Sequence, residues 1–218
     1  MKIIVLSDVH GNILRCQDVA LKNPHCNVIQ LGDLGVGFLP CEIIENLPPN
    51  FYFFPGNHDN RKVAVSLHNC LGHFGEWGSL ADGQGFFFVS GADSIDKESR
   101  TVGINWWFDE ELTYAQGQQC IDEWAKSKTE VIISHELPQR IAEAFFLIYD
   151  RSRTRQILDA MIEARRPKLV VFGHHHIPFH QFHEGIEYRG LKIDETITLD
   201  ISENNVTLKE HEARTKKP

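Results

Sequence analysis

The sequence has no apolar stretch that approaches the length of a membrane span. Its first apolar run, residues 3–6, is too short for the core of a signal peptide. The five cysteines are scattered, and no two of them form a CxxC pair. This usage argues against a disulfide framework and for a reducing compartment. We therefore expect a cytoplasmic protein without a membrane partner.

Positive charge is in the minority. Lys and Arg number 22 against 30 Asp and Glu, which gives a formal net charge of −8. A dedicated nucleic-acid binder usually has a basic face, so this balance predicts no clear nucleic-acid-binding surface. Divalent cations bound by the protein would offset part of the charge locally, and a phosphorylated substrate is therefore compatible with it.

Internal repeats, linkers and low-complexity segments are also absent from the 218-residue sequence. A chain of this length is sufficient for one well-cored domain and short for two. We predict one domain over residues 1–208, followed by a charged tail over residues 209–218.

What the sequence does contain is a series of short apolar runs, each followed by polar side chains. The runs lie at residues 2–7, 27–31, 51–54, 130–134 and 168–172, and helical patterns lie between them at residues 12–20, 41–47, 114–128 and 154–165. Strands that alternate with helices predict parallel pairing in a layered α/β fold. In such folds, ligands bind beyond the carboxyl ends of the strands.

Three consecutive histidines follow the last of these runs. Side chains alternate along a strand, so His174 and His176 can point into one site while His175 faces solvent or substrate. Neutral imidazole is the commonest protein ligand for transition metals, and Asp8 and His10 repeat the same spacing after the first run. A solvated histidine-rich loop is the alternative interpretation.

Five strand ends carry such polar motifs. In order they read Asp8-x-His10, Gly32-Asp33, Gly56-Asn57-His58-Asp59, His135 and Gly173-His174-x-His176. Together they resemble the signature of the calcineurin-like metallophosphoesterases, with no position missing between residues 8 and 176. The stretch after Asp33 lacks the second Asp and the Arg that protein Ser/Thr phosphatases carry. The resemblance is therefore to the bacterial and phage type, not to the phosphoprotein-phosphatase branch, and residues 91–100 resemble a pattern of that type.

The resemblance implies an α/β fold, a four-layer α/β/β/α sandwich of two mixed sheets, with a dimetal site at the strand carboxyl ends. It implies that Asp33 bridges two divalent transition-metal ions about 3.5–4 Å apart. The first ion would be held by Asp8, His10 and His176, and the second by Asn57, His135 and His174. The mixed nitrogen and oxygen ligands suit Mn²⁺, which we favour, and also Fe, Zn, Co or Ni.

The resemblance also implies a phosphoesterase that cleaves a phosphate ester by attack of a metal-bridged hydroxide. His58 would protonate the leaving oxygen or stabilise charge in the transition state. We favour a phosphomonoester substrate. The alternatives are a phosphodiesterase, nucleotide hydrolase or nuclease with the same site, and a non-catalytic protein-interaction scaffold, which would be expected to lose ligand residues.

Three further residues have assigned roles. Arg61 and Arg100 are candidates for binding phosphate, because a guanidinium can contact two phosphate oxygens at once, although each could be an ordinary surface arginine. Asp59 is expected to hold its loop through backbone hydrogen bonds and to take no part in the chemistry.

Overall fold

The computed structural model of the chain describes residues 1–79, 84–202 and 205–210. Strands and α-helices alternate through most of this part of the chain. In order they are β1 (Lys2–Leu6), α1 (Ile13–Lys22), β2 (Asn27–Gln30), α2 (Cys41–Glu45), β3 (Phe51–Phe53), α3 (Arg61–Ala64), β4 (Phe74–Ser79), β5 (Gln84–Val89), α4 (Tyr114–Lys126), β6 (Val131–Ser134), α5 (Gln139–Phe146), α6 (Arg153–Ala164), β7 (Leu169–Phe172), β8 (Phe179–His183), β9 (Ile186–Gly190), β10 (Thr196–Ser202) and β11 (Asn205–Glu210).

The strands form two mixed sheets. The first sheet has the order β11-β10-β1-β2-β3, in which β1, β2 and β3 are parallel and β10 and β11 are antiparallel to their neighbours. The second has the order β4-β5-β6-β7-β9-β8, with four parallel strands between antiparallel edge strands β4 and β8. Each sheet therefore brings the carboxyl ends of several strands to one edge.

Three hydrophobic clusters separate four layers. One lies between the first sheet and α1, α2 and α3, one between the two sheets, and one between the second sheet and α4, α5 and α6. In β1, Ile4 and Leu6 belong to the helix-facing cluster, whereas Ile3 and Val5 belong to the cluster between the sheets. The apolar run is continuous because the strand is buried on both faces. The predicted four-layer sandwich of two mixed sheets is confirmed.

Polar side chains begin three of the longer helices. Asn12 accepts a hydrogen bond from a backbone N–H at the start of α1, Thr113 forms a capping box with Gln116 at α4, and Ser152 caps α6. These helices agree with the sequence prediction to within two residues. Helix α5 was not predicted, because it is short and follows Pro138, which provides no side-chain cap.

The C-terminal boundary differs from the prediction. Lys209 and Glu210 still pair with Thr198 and Ile197 of β10, so β11 continues past the predicted start of the tail, and residues 211–218 lie outside the described residues. All five cysteines are free. None of the described helices combines the length and the apolar character needed to cross a membrane.

Candidate metal centre

The predicted ligands and His58 meet where five strands end. In chain order they are Asp8 and His10 after β1, Asp33 after β2, Asn57 and His58 after β3, His135 after β6, and His174 and His176 after β7. Strands β1–β3 belong to the first sheet, and β6 and β7 belong to the second. The centre is therefore built jointly by the two sheets.

Most of the predicted ligands fall into two groups, and within each group the potential ligand atoms lie within 4.8 Å of one another. The first ligand group consists of Asp8, His10, Asp33 and His176, and the second of Asp33, His135 and His174. Asn57 extends the second group, because its Oδ1 lies 2.9 Å from His135 Nε2. Asp33 is common to both groups, as expected for a bridging carboxylate.

The backbone at the centre is strained at four ligand positions. His10, Asp33, His174 and His176 have φ values of 43°, 58°, 60° and 56°. Non-glycine residues rarely adopt this left-handed region, and such strain concentrates at functional sites. Of seven such residues in the described part of the chain, four are predicted metal ligands. The sharp turns at the strand ends aim these side chains at one another.

Close backbone approach at the centre depends on glycine. A Cβ atom at Gly56 would lie 2.5 Å from the backbone nitrogen of Asp33 and 2.8 Å from Cε1 of His135. Any other residue would push β3 away from these two side chains. Gly56 thereby allows Asp33, Asn57 and His135 to share one small volume.

In the first ligand group, two imidazoles face each other. His10 Nε2 lies 3.0 Å from His176 Nε2, and Asp33 Oδ2 and Asp8 Oδ1 lie 3.9 Å from these rings. Burial lowers the pKa of both histidines, so both rings are neutral near pH 7. At this distance at most one of the two Nε2 atoms carries a hydrogen. The other Nε2 therefore presents a lone pair.

The second ligand group is more deeply buried. His135 Nδ1 lies 2.9 Å from the Leu31 carbonyl oxygen, to which it donates, so Nε2 of the neutral ring presents a lone pair. That lone pair faces Asn57 Oδ1 at 2.9 Å and Asp33 Oδ1 at 3.4 Å, which are also acceptors. Burial opposes protonation of His135, but the carboxylates of Asp33 and Asp8 outweigh it and raise its pKa. Without a metal ion, a proton competes for this position.

Asp33 is a buried carboxyl group with other carboxylates nearby. Its side chain is 1% exposed, and burial raises the pKa of the carboxyl to about 7, with Asp8 and Asp59 adding to the effect against the opposing influence of His135. Asp33 Oδ1 accepts a hydrogen bond from the backbone N–H of His58 at 2.9 Å, whereas Oδ2 is buried without a hydrogen-bond partner. An unpaired buried carboxylate oxygen is costly unless a cation neutralises it.

These observations test whether divalent cations fit the centre. Lone pairs of imidazole, carboxylate and amide groups converge in both ligand groups, with too few hydrogens to satisfy them. Carboxylate, amide and imidazole donors together suit first-row transition metals. The residues present therefore fit two divalent ions that share Asp33.

Glu136 lies next to His174 of the second ligand group. It is fully buried, its Oε2 accepts a hydrogen bond from Arg155 Nε at 3.0 Å, and the same oxygen lies 3.8 Å from His174 Nε2. Burial alone would raise its pKa, but the neighbouring His174, His175 and Arg155 hold the pKa well below its usual range. Glu136 was not among the predicted site residues, although its position directly after His135 was an available signal.

The side chain of His175 is 12% exposed and contacts the protein interior, although it also lines a polar cavity that opens from the centre. Its Nε2 lies 2.7 Å from Glu136 Oε1, and its ring packs against Phe146 at a centroid distance of 5.5 Å. The alternation of side chains along a strand does not apply at His175, because β7 ends at Phe172 and the chain turns there. Glu136, His174 and His175 also form a third group of potential ligand atoms.

His58 lies beside both Asp33 and Arg100. Arg100 Nη1 is 2.8 Å from His58 Nδ1, and Nη2 is 2.9 Å from His58 Nε2, while Asp96 pairs with the same guanidinium. A neutral imidazole has one acceptor nitrogen, so only one of these contacts is a hydrogen bond. Burial and then the charge of Arg100 lower the pKa of His58 to about 4.

Arg61 is buried away from the centre, and its position does not support the predicted role in binding phosphate. The residue is 2% exposed, and its guanidinium donates to the Glu110 carbonyl oxygen at 3.0 Å and to Ser90 Oγ at 3.0 Å, with His73 Nδ1 at 2.8 Å. With these partners, the buried guanidinium is not accessible to a phosphate group.

Asp59 accepts hydrogen bonds from the backbone N–H groups of four residues, as predicted: Leu34, Gly35, Val36 and Gly56.

Two cavities open from the centre, and Asp33 and His58 line both. The polar cavity, of about 350 Å³, is also lined by Asp96, Arg100 and His175. The apolar cavity, of about 360 Å³, is lined by His10, Gly11, Gly35, Phe38 and Leu39. A substrate could therefore extend from the centre in two directions.

Solved structures share the fold at low sequence identity. A dimetal phosphatase from Danio rerio matches with a TM-score of 0.66 at 15% identity, over 96% of this chain and 95% of that chain. A putative 5′-nucleotidase from Staphylococcus aureus matches with a TM-score of 0.59 at 13% identity, over 96% of this chain and 52% of that chain. This chain thus spans about half the length of that protein. An archaeal phosphodiesterase matches with a TM-score of 0.50 at 16% identity, over 97% and 100% of the two chains.

Comparison of sequences identifies the family. No curated protein sequence matches the chain. Residues 1–178, however, match the family model for calcineurin-like phosphoesterases, and that range contains all five strand-end motifs. This match favours an enzyme over the scaffold alternative. The chain belongs to the calcineurin-like phosphoesterase family and is a hydrolase of phosphate esters.

Proposed function

We propose that this protein hydrolyses a phosphate monoester with two divalent metal ions. The observation that carries the proposal is the convergence of potential ligand atoms in two groups that share Asp33, whose Oδ2 is buried without a hydrogen-bond partner. Asp33 would bridge the ions, with Asp8, His10 and His176 on the first and Asn57, His135 and His174 on the second. Mn²⁺ is the proposed metal, and Fe, Zn, Co and Ni are the alternatives, because the ligand set is compatible with all of them.

When bound, two such ions would activate a water molecule for attack and offset the charge of the phosphate. The protein's own residues would orient the substrate and move protons. Asp33, ionised beside the cations, would keep His58 in place through the hydrogen bond to the His58 backbone. Asp59 would fix the loop that carries both residues through its four backbone contacts.

His58 would act at the leaving oxygen. Its pKa of about 4 makes the ring neutral near pH 7, because burial and Arg100 both oppose a charge there. A phosphate anion bound between His58 and Arg100 would favour the protonated ring and raise that pKa. His58 would then donate its proton to the leaving oxygen as the ester bond breaks.

Arg100 would bind the phosphate. Its guanidinium lines the polar cavity next to His58, and Asp96 keeps it oriented. A monoester dianion carries more charge than a diester monoanion, so a guanidinium beside two cations favours the monoester. This difference supports the monoester as the first candidate substrate class.

A phosphodiester is the second candidate, favoured by the two cavities. A monoester needs one cavity for its single organic group, whereas a diester has a group on each side of phosphorus. Asp33 and His58 line both cavities, and the side lined by Phe38 and Leu39 would suit an apolar or planar group. A nuclease would belong to this second candidate class, because nucleic-acid strands are joined by phosphodiesters, and hydrolysis of a nucleotide remains a further alternative.

The test is hydrolysis of p-nitrophenyl phosphate and bis-p-nitrophenyl phosphate by the full chain with Mn²⁺. We expect Arg100→Met to raise KM for the monoester about tenfold, equivalent to one charge-assisted hydrogen bond of about 1.4 kcal/mol. Lys97→Met, in the neighbouring turn, is the matched control, because Lys97 pairs with Asp93 outside the cavities. Faster cleavage of the diester, and its selective loss in Phe38→Ala, would favour the second candidate.

We also propose that the protein functions in the cytoplasm. Its five free cysteines, two of them fully buried, support a reducing compartment. Labelling of the thiols in freshly lysed cells would test this, because persistent disulfides would place the protein elsewhere.

A further inference from the structure

We propose that Ser94 and Glu110 are positioning residues that set which end of the Asn57 amide faces the second metal ion. The inference rests on the proposed function, because it assigns an orientation to one of the proposed ligands. Neither residue belongs to the five strand-end motifs, and neither lies in either ligand group.

The three side chains form a continuous buried chain of hydrogen bonds. Asn57 Nδ2 donates to Ser94 Oγ at 2.8 Å, and Ser94 Oγ donates to Glu110 Oε2 at 2.6 Å. The backbone N–H of Ser94 donates to the other carboxylate oxygen, Glu110 Oε1, at 3.0 Å. Asn57, Ser94 and Glu110 are 1%, 1% and 3% exposed, so water does not compete for these positions.

Counting donors fixes the direction of the chain. A hydroxyl has one hydrogen, and Ser94 gives it to the Glu110 carboxylate, which can only accept. Ser94 Oγ must therefore accept its other bond, and only the NH₂ end of Asn57 can donate it. The carbonyl end, Oδ1, is thereby directed at His135 Nε2 in the second ligand group.

The rest of the molecule holds the carboxylate in place. The backbone carbonyl oxygen of Glu110 accepts a hydrogen bond from Arg61 Nη1 at 3.0 Å, and its N–H donates to the Trp107 carbonyl oxygen at 3.1 Å. Arg61 thus acts on the centre indirectly, by fixing the residue that orients Asn57.

Glu110→Gln should reverse this direction. The Ser94 N–H still requires an acceptor, so the new amide oxygen would face it and the new NH₂ would donate to Ser94 Oγ. The hydroxyl hydrogen would then have lost its carboxylate acceptor, and Asn57 Oδ1 would replace it if the amide flips, which favours the orientation with NH₂ toward the metal position. An amide NH₂ cannot bind a cation, so the second ion loses a ligand.

The experiment is calorimetric titration of Mn²⁺ into the metal-free full chain, with thermal melting to confirm folding. We expect two Mn²⁺ sites in the wild type and a 10–100-fold weaker second site in Glu110→Gln, the usual range for residues behind a metal ligand. Ser94→Ala removes the same link without a charge change and should weaken that site about tenfold. Glu111→Gln is the matched control, because Glu111 is a neighbouring buried carboxylate that accepts the backbone N–H of Thr154 at 2.8 Å.

A double-variant comparison separates hydrogen-bond direction from charge. Asp at position 57 can accept the reversed hydrogen bond and still offer an oxygen to the metal. Asn57→Asp should therefore strengthen the second site at least tenfold more in the Glu110→Gln background than in the wild type. Equal gains in both backgrounds would mean that charge alone acts, and would overturn the inference.

The remaining outcomes are also decisive. If Glu110→Gln fails to fold, Ser94→Ala carries the test, and an unchanged second site in it overturns the inference. Two wild-type sites with unchanged affinities in both variants overturn the inference but leave the proposed function intact. Absence of Mn²⁺ binding to the wild type would overturn the proposed function itself.

Discussion

The two ligand groups differ in how far solvent reaches them. In the first group, the side chains of His10 and His176 are 32% and 37% exposed. In the second group, His135 is fully buried and the side chain of His174 is 11% exposed. We therefore call the first ligand group the open half of the centre and the second the buried half, because their histidines differ in exposure.

The difference extends to what holds the ligands. Each acceptor of the second group has a partner behind it: the Leu31 carbonyl for His135, Ser94 for Asn57, and Glu136 near His174. In the first group, Asp8 accepts hydrogen bonds from Ser7 Oγ and the His174 N–H, whereas His10 and His176 contact each other edge to face. We infer that the buried half is preorganised for its ion by the fold, whereas the open half depends on the ion to organise it.

The largest effect on activity is expected from substitution of Asp33, the residue that the two halves share. Asp33→Asn takes away the bridging charge and should lower phosphate-ester hydrolysis by on the order of 10³-fold, since the loss of several kcal/mol of charge stabilisation gives that factor. Kinetic assay with p-nitrophenyl phosphate and metal analysis measure it. Asp194→Asn is the control, because Asp194 also has a positive φ, of 61°, and lies outside both ligand groups. Activity close to wild type in Asp33→Asn would refute the bridging role.

The support of the buried half should contribute strongly to stability. Arg155→Met leaves Glu136 as a fully buried carboxylate without its guanidinium partner, and breaking such a pair costs about 3–5 kcal/mol. Urea denaturation of the metal-free protein measures this loss in the free energy of unfolding. Arg140→Met is the comparison, because Arg140 pairs with Asp159, Glu163 and Glu184 near the surface, where a pair contributes about 1 kcal/mol or less. Equal losses in both variants would show that the buried pair has no special role.

The sequence predicted the residues that directly follow the strands, because their positions can be read along the chain. Apolar runs predicted the strands, and the resemblance carried by the five motifs implied two sets of ligands. Within each set, Asn57 aside, the potential ligand atoms lie within 4.8 Å of one another. The supporting residues depend on contacts between distant segments, which a pattern along the chain does not record. Glu110 lies in an acidic run typical of a solvated surface, yet it is 3% exposed, and Arg61 was assigned to substrate although it is 2% exposed. Charge patterns do not distinguish a buried, paired side chain from an exposed one.

Metal removal tests the comparison directly. When the metal-loaded protein is dialysed against EDTA, the ion of the open half should leave first, because water and chelator reach His10 and His176. Metal analysis over time should show two phases that differ in rate by about tenfold or more, which corresponds to about 1.4 kcal/mol in the barrier. A single phase that removes both ions together would mean that the two halves act as one unit.

The last prediction concerns His175, the middle histidine of the three, and it decides between two roles. His175 Nε2 contacts Glu136 Oε1 at 2.7 Å, so we place it in the support of the buried half and not among the ligands. His175→Ala should lower the free energy of unfolding by about 1.5–3 kcal/mol, the contribution of a hydrogen bond to a charged group, while two metal ions stay bound. His180→Ala is the control, because His180 makes a similar contact of 2.8 Å with Glu187 at the surface. Loss of one ion in His175→Ala would instead assign a metal to the group formed by Glu136, His174 and His175.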